Sequence, residues 1–187
     1  MTISCRIALF GAAPDTPNMG VSALFMSTIL GIAKHIHPVE FVVFDNGLGR
    51  RNEVLRAPDG KEISLIRFGA RGGKRYYRPE NLATMFLASR LGAIGAWINE
   101  GIRLIDSCVA VLDVSGGDSF SDIYGRARFN NILRPKAIAI NRGIPLILLP
   151  QTYGPYKDQK ISAMASWAIK GASMAWARDK HSFEILK

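Results

Sequence analysis

The chain has 187 residues, a length suited to one globular domain, and 48% of them are hydrophobic, which excludes a disordered chain and provides a sizeable core. Its net charge is +9, and its two cysteines, Cys5 and Cys108, stand far apart without metal-type spacing. That excludes a disulfide framework and fits a reducing cytosol. The opening MTISCRIALFGAA is a poor signal peptide, because Arg6 interrupts a short apolar run.

Ile3–Gly11 reads as a first strand closing at a glycine, followed by the turn-rich loop AAPDTPNMG. Val21–His35 carries Leu24, Phe25, Ile29, Leu30 and Ile32 at helical spacing, and Pro38 stops it. Glu40–Phe44 and Ile63–Phe68 read as the second and third strands. DNGLG follows the second as a loop, and ARGGKRYYRP follows the third. A long helix is predicted from about Glu80 to Ile105, with a break near Gly101 left open. Its stretch Asn81–Asn99 holds one charge, Arg90, at its centre. Asn81, Thr84, Ser89 and Asn99 dilute it below a membrane-spanning pattern. The expectation is a buried amphipathic helix packed closely at Gly92 and Gly95. Cys108–Val114 is nearly all apolar, as in a strand buried on both faces of a parallel sheet. A helix around Ala127–Asn141, a strand at Pro145–Leu149, a helix at Ile161–Lys170 and a short strand at Ser173–Ala177 follow. Asp179 opens a last helix. Trp97, Trp167 and Trp176 fall on these elements and are expected in or beside the core.

Strands and helices alternate throughout, which predicts an α/β fold with a doubly wound, mostly parallel, Rossmann-like sheet and right-handed crossovers. Ligands in such sheets bind beyond the carboxyl ends of the strands, at a switch point. Four polar or glycine-rich loops, 11–20, 45–50, 115–125 and 150–158, stand at such ends.

The charge is concentrated. Between Arg50 and Arg78 nine basic residues stand against three acidic ones, so +6 of the +9 lies there. A basic patch gathers anions: a phosphorylated small molecule, an acidic glycan or an anionic membrane surface. A solvated loop is the bland alternative. Nucleic acid is set aside, for the chain has no helix-turn-helix pattern, zinc spacing or aromatic RNA-binding motif. Tyr76 and Tyr77 flank this loop, as sugar-stacking faces or as anchors.

The stretch DVSGGDSFSDIYG, Asp113–Gly125, follows a buried strand. Gly116 and Gly117 let the backbone turn and offer N–H groups to an anion. Asp118 and Asp122 repel an anion; they suit sugar hydroxyls, a general base, or a cap on the next helix. No Walker motif and no GxGxxG supports a nucleotide cradle. GDSFSD resembles the first block of GDSL esterases, with Ser119 as nucleophile, but the partner motif Asp-x-x-His is absent.

Four segments in order, FGAAPDTPNMGVSAL, VLDVSGGDSFSD, PLILLPQTYGPYKD and SMAWARDKHSFEILK, resemble the polysaccharide pyruvyl transferase family. The resemblance covers nearly the whole chain. It implies a fold like the N-terminal domain of a GT-B-like two-domain enzyme. It also implies transfer of pyruvate from phosphoenolpyruvate to a sugar as a ketal, in exopolysaccharide biosynthesis. By matched position it implies that Asn18 and Gly20 shape the first loop. Gly116, Gly117, Asp118 and Asp122 would line the cleft, with Asp118 orienting or deprotonating the acceptor hydroxyl. Gln151, Thr152, Gly154 and Pro155 would form the opposing loop. Arg178, Asp179 and Ser182 match the last motif, and Arg178 would fork a carboxylate or phosphate, or else belong to an ion pair with Asp179 as helix cap.

The expectation is one domain over residues 1–187, the N-terminal half of such an enzyme. The second domain, which in the family supplies basic and histidine residues for the donor, is absent from the chain, so catalysis would need that missing C-terminal domain or a partner subunit. No cofactor and no metal are expected, with phosphoenolpyruvate as donor substrate and a glycan or lipid-linked saccharide as acceptor. The expected place is the cytoplasm, with peripheral association at the inner face of the membrane left open. The alternatives are a GT-B-like glycosyltransferase using a nucleotide sugar, and a non-catalytic glycan- or anion-binding remnant.

Overall fold

Apolar runs too short for helices and bounded by glycine or proline become strands, and longer runs of helical period wrap them. The computed structural model describes residues 5–14, 16–115 and 120–187. In chain order the elements are β1 (Cys5–Phe10), α1 (Met19–His35), β2 (Val39–Asp45), β3 (Arg50–Arg56) and β4 (Glu62–Gly69). The helices α2 (Leu82–Ser89), α3 (Gly92–Ile98) and α4 (Glu100–Asp106) come next. Then follow β5 (Ala110–Asp113), α5 (Arg126–Arg142), β6 (Leu146–Gln151), α6 (Gln159–Lys170), β7 (Met174–Ala177) and α7 (Lys180–Leu186).

The seven strands form one sheet in the order β3-β4-β2-β1-β5-β6-β7. All neighbours are parallel except β3, which pairs antiparallel with β4 at the edge. The six parallel strands have the doubly wound Rossmann order, as the alternation predicts. The order turns back between β1 and β5, so the switch point lies at the ends of those two strands.

Each face of the sheet has its own core. On one side α1 buries Val21, Phe25, Ile29 and Ala33, a single stripe four residues apart, against Leu9, Phe41, Val43 and Leu112. On the other side Met85, Ile102, Phe129 and Ile138 from α2, α4 and α5 cover Ala8, Val42, Ile66 and Val111. Fully buried side chains such as Phe25 and Ile29 each contribute roughly 1.5–3 kcal/mol by leaving water.

Two departures from the sequence reading matter. Strand β3, RRNEVLR, was not expected: it is mostly exposed and charged, and its partner strand rather than its own propensity makes it a strand. The helix predicted from Glu80 to Ile105 is three helices. The Asn81 side chain accepts from the Ala83 and Thr84 amides and caps α2, and the Asn99 side chain accepts from Ile102 and caps α4. Asn81 caps the start of the run, Asn99 breaks it between α3 and α4 close to the break read near Gly101, and the other break, at Arg90–Leu91, has no side-chain cap. Between these caps α3 buries only Gly95. Gly95 does pack closely: a Cβ there would stand 1.9 Å from the Ala88 carbonyl oxygen. None of the three tryptophans is buried; Trp97, Trp167 and Trp176 are all largely exposed. Among the described residues no helix is long and apolar enough to cross a membrane.

Gly95→Ala is expected to push α3 off α2 and to lower stability by about 1–3 kcal/mol, read as a lower urea midpoint. An unchanged midpoint would mean that the α2–α3 contact is not tight in solution.

Candidate functional site

The carboxyl ends of β1, β2, β4 and β5 converge on a cleft of about 330 Å³ at the switch point. Gly11–Ala13 after β1 form part of its wall, together with Asn18, Asp45, Gly72, Asp113 and Asn131. Asn18 is also the N-cap of α1, its side chain accepting from the Gly20 amide at 3.0 Å. Gly20 itself lies behind that cap; a Cβ there would stand 3.2 Å from the Asn18 side-chain oxygen. The first loop thus sits where the sequence placed it.

The floor of the cleft holds a group the sequence reading passed over. Lys136 of α5 is fully buried, and its ammonium donates to Asp113 Oδ1 at 2.7 Å, Ser115 Oγ at 3.0 Å and the Ile132 carbonyl at 3.1 Å. All three N–H bonds are satisfied, and Nζ also lies 4.6 Å from the centre of the Phe120 ring. Burial pushes the Lys136 ammonium below its ordinary value, against the opposing pull of Asp113. Asp113 accepts further from the Ser115 amide. Ser115 donates to Gln151 Oε1 and holds a backbone φ of 53°, a left-handed conformation that costs strain in a serine. A signal for Lys136 does exist in the sequence. It falls on the buried stripe Phe129, Ile132, Lys136, Ala139, and a lysine there requires a buried carboxylate.

Asp45, at the end of β2, is a second centre found only in the structure. Its oxygens accept from the Gly47 amide, from Arg51 at 2.6 and 2.8 Å and from Arg67 at 2.7 Å, while Arg67 also reaches Glu53.

The other residues singled out by sequence stand differently. Gly116, Gly117, Asp118 and Ser119 lie outside the described residues. Their flanks are anchored: Ser115 as above, and Phe120 by N–H donation to the Thr152 carbonyl and acceptance from the Gly154 amide. Asp122 is not on the cleft wall and does not cap α5. Its Oδ2 accepts from the Lys157 and Asp158 amides, tying this loop to the one before α6. Gln151 is buried beneath the cleft rather than on its wall, its Nε2 donating to the Tyr153 hydroxyl. Gly154 has φ 63°, and a Cβ there would stand 2.9 Å from Ile185. Arg178 is exposed and makes no direct ion pair with Asp179; it donates to Thr152 Oγ1 at 2.6 Å, and Thr152 in turn donates to Asp179 Oδ2 at 3.3 Å. Asp179 caps α7 by accepting from the Ser182 amide, and buried Ser182 accepts from the Tyr153 amide. The third and fourth sequence motifs are thus locked onto each other, joined to the cleft through the Gln151–Ser115 contact.

Fold and cleft together define a Rossmann-like protein with a cleft at the switch point between β1 and β5. A family model, Polysaccharide pyruvyl transferase, matches residues 18–187, nearly the whole chain. The chain therefore belongs to the polysaccharide pyruvyl transferase family, a family of transferases. Comparison with curated proteins and with solved structures finds no match.

Lys136→Met leaves Asp113 buried without its cation, and is expected to cost about 3–5 kcal/mol in urea unfolding. Adding Asp113→Leu to it should recover most of the loss; a double variant no more stable than the single one would show that the pair is not the unit. The Asp122 and Asp179 carboxyls are both held below the ordinary value of 3.8, by the Asp158 and Ser182 amides first. A depressed folded value means that their contribution is present above that pH and is lost as pH falls below it. Thermal unfolding followed downward from neutral pH should therefore fall off below about the ordinary value, and more shallowly in Asp122→Asn and Asp179→Asn.

Proposed function

We propose that the chain takes part in moving a pyruvyl group from phosphoenolpyruvate onto two hydroxyls of a sugar of a cell-surface polysaccharide, and that the switch-point cleft seats the acceptor. The observation that carries this reading is the cleft wall, where Thr16, Asn18, Asn46 and Asn131 offer hydroxyl and amide groups. Neutral donors and acceptors of this kind suit sugar hydroxyls. Pro135 adds to them: it cannot donate within α5, so the Asn131 carbonyl beside the cleft lacks its helical partner.

The chemistry balances with these parts. One acceptor hydroxyl adds to C2 of phosphoenolpyruvate, and its proton ends on C3, turning the methylene into a methyl. The second hydroxyl then displaces phosphate at C2, closes the ketal and gives its proton to the leaving phosphate. Asp118 is the base or orienting group for an acceptor hydroxyl in this reading. Arg178 uses Nη2 on Thr152 and keeps the rest of its guanidinium for a carboxylate or phosphate. The donor wall comes from a second domain or a partner subunit, and the acceptor is a glycan or lipid-linked saccharide met at the cytoplasmic face of a membrane.

Asp45 argues against a dinucleotide seated in this cleft. In Rossmann folds an acidic residue following the second strand holds ribose hydroxyls. Here both Asp45 oxygens are already occupied by Arg51, Arg67 and the Gly47 amide.

The test is phosphate release from phosphoenolpyruvate with and without a glycan acceptor. With the domain or subunit that supplies the donor wall included, release is expected only with both present. Asp118→Asn should lower turnover by roughly a hundredfold or more and leave acceptor affinity in calorimetric titration nearly unchanged. Response to a nucleotide sugar in place of phosphoenolpyruvate would sink the reading, and unchanged turnover in the variant would remove Asp118 from it.

A further inference from the structure

The segment Leu91–Ile98, LGAIGAWI, has no charged side chain and no hydrogen-bonding group other than the Trp97 indole, yet of its helix α3 only Gly95 is buried. Trp97 is 81% exposed, Ile94 64% and Leu87 61%, with Leu91 and Ile98 beside them. A contiguous apolar patch of this kind marks a contact surface, because scattered exposed apolar residues do not gather on one short helix.

The charge around the patch indicates what covers it. The basic segment of the sequence divides in two. Arg50, Arg51, Arg56, Lys61 and Arg67 are each paired with a carboxylate on or near the β3–β4 hairpin. Arg71, Lys74, Arg75 and Arg78 of the following loop, and Arg90 at the end of α2, have no carboxylate partner among the described residues. The one acid from Arg71 to Ile98, Glu80, is engaged by the Gly49 amide.

Loop and patch are one unit. Thr84 Oγ1 donates to the Tyr76 carbonyl at 2.6 Å, Asn81 Nδ2 to Gly73 and Asn99 Nδ2 to Pro79, both at 3.0 Å. Tyr76 and Tyr77 on this loop are themselves exposed.

We propose that α2, α3 and the loop 71–78 form a docking surface for an anionic lipid bilayer, with α3 lying in the interface and the loop cations on the headgroups. Apolar residues at the tip, an exposed tryptophan and two tyrosines at the boundary, and unpaired arginine and lysine around them are the groups that an interfacial helix requires. The inference rests on surface chemistry and is independent of the transfer reaction. It does place the cleft well, because Gly72 lies both on the cleft wall and at the start of the docking loop.

The test is co-sedimentation of the chain with phosphatidylglycerol vesicles against phosphatidylcholine vesicles, at low and high salt; it needs neither glycan nor phosphoenolpyruvate. The chain is expected to pellet with phosphatidylglycerol and to release as salt rises. Ile94→Glu with Trp97→Glu should abolish pelleting. Lys74→Ala with Arg75→Ala should weaken it about 25-fold, each cation being worth about fivefold. Circular dichroism should show all variants folded, since every substituted side chain is exposed. A wild-type chain that stays in the supernatant with phosphatidylglycerol at low salt overturns the proposal. So does an Ile94→Glu, Trp97→Glu variant that pellets like wild type. Light scattering that shows a dimer broken by that variant, with no vesicle binding by wild type, would assign the face to a second copy and also overturn it.

Discussion

The arrangement at the switch point depends on one buried ammonium. Lys136 reaches from α5 through the core to the end of β5 and gives each of its protons a separate acceptor. Asp113 would otherwise be a buried carboxylate with only the Ser115 amide and hydroxyl against it and no opposing charge. The pair therefore fixes geometry more than it adds stability, for a buried ion pair roughly offsets its own desolvation. What it fixes is considerable. Ser115 is held in a left-handed backbone, Gln151 of β6 is drawn to the same hydroxyl, and the Phe120 ring rests against the ammonium while stacking on Phe129. Strands β5 and β6, helix α5 and the loop that follows β5 meet at a single charge.

The motif residues toward the C-terminus turn out to serve this framework. Tyr153, Asp179 and Ser182 join two loops through backbone amides, and Asp122 fastens a third. Side chains that read as ligand contacts in sequence are partners of the backbone in space. The cleft itself takes neutral polar groups from Thr16 and Asn18 of the first motif and from Asn46 and Asn131, which lie outside the four motifs.

The strands β1, β2, β5 and β6 and the helices α1, α5 and α6 were legible because their apolar periods are long and their neighbours polar or glycine-rich. The edge strand β3 was not, since charge and exposure along RRNEVLR conceal an extended backbone that only pairing with β4 creates. Of the two breaks in the long helix, the one at Asn99 falls close to Gly101, where a break was read, while the one at Arg90–Leu91 was hidden because no side chain caps α3 there. Lys136 and Asp113 are 23 residues apart, and no local pattern brings them together. Their meeting is a property of the crossover from β5 to β6.

The two edges of the sheet are unlike. On one side β3 presents Arg50, Arg51, Asn52 and Glu53 along its length, charges that discourage a further strand from adding there. On the other side β7 is MAWA, without a charge, its Met174 and Trp176 largely exposed. The sheet is therefore polarised across its width. Growth by strand addition is discouraged at one margin and less opposed at the other, so an extended segment that joins this fold meets less resistance beside β7.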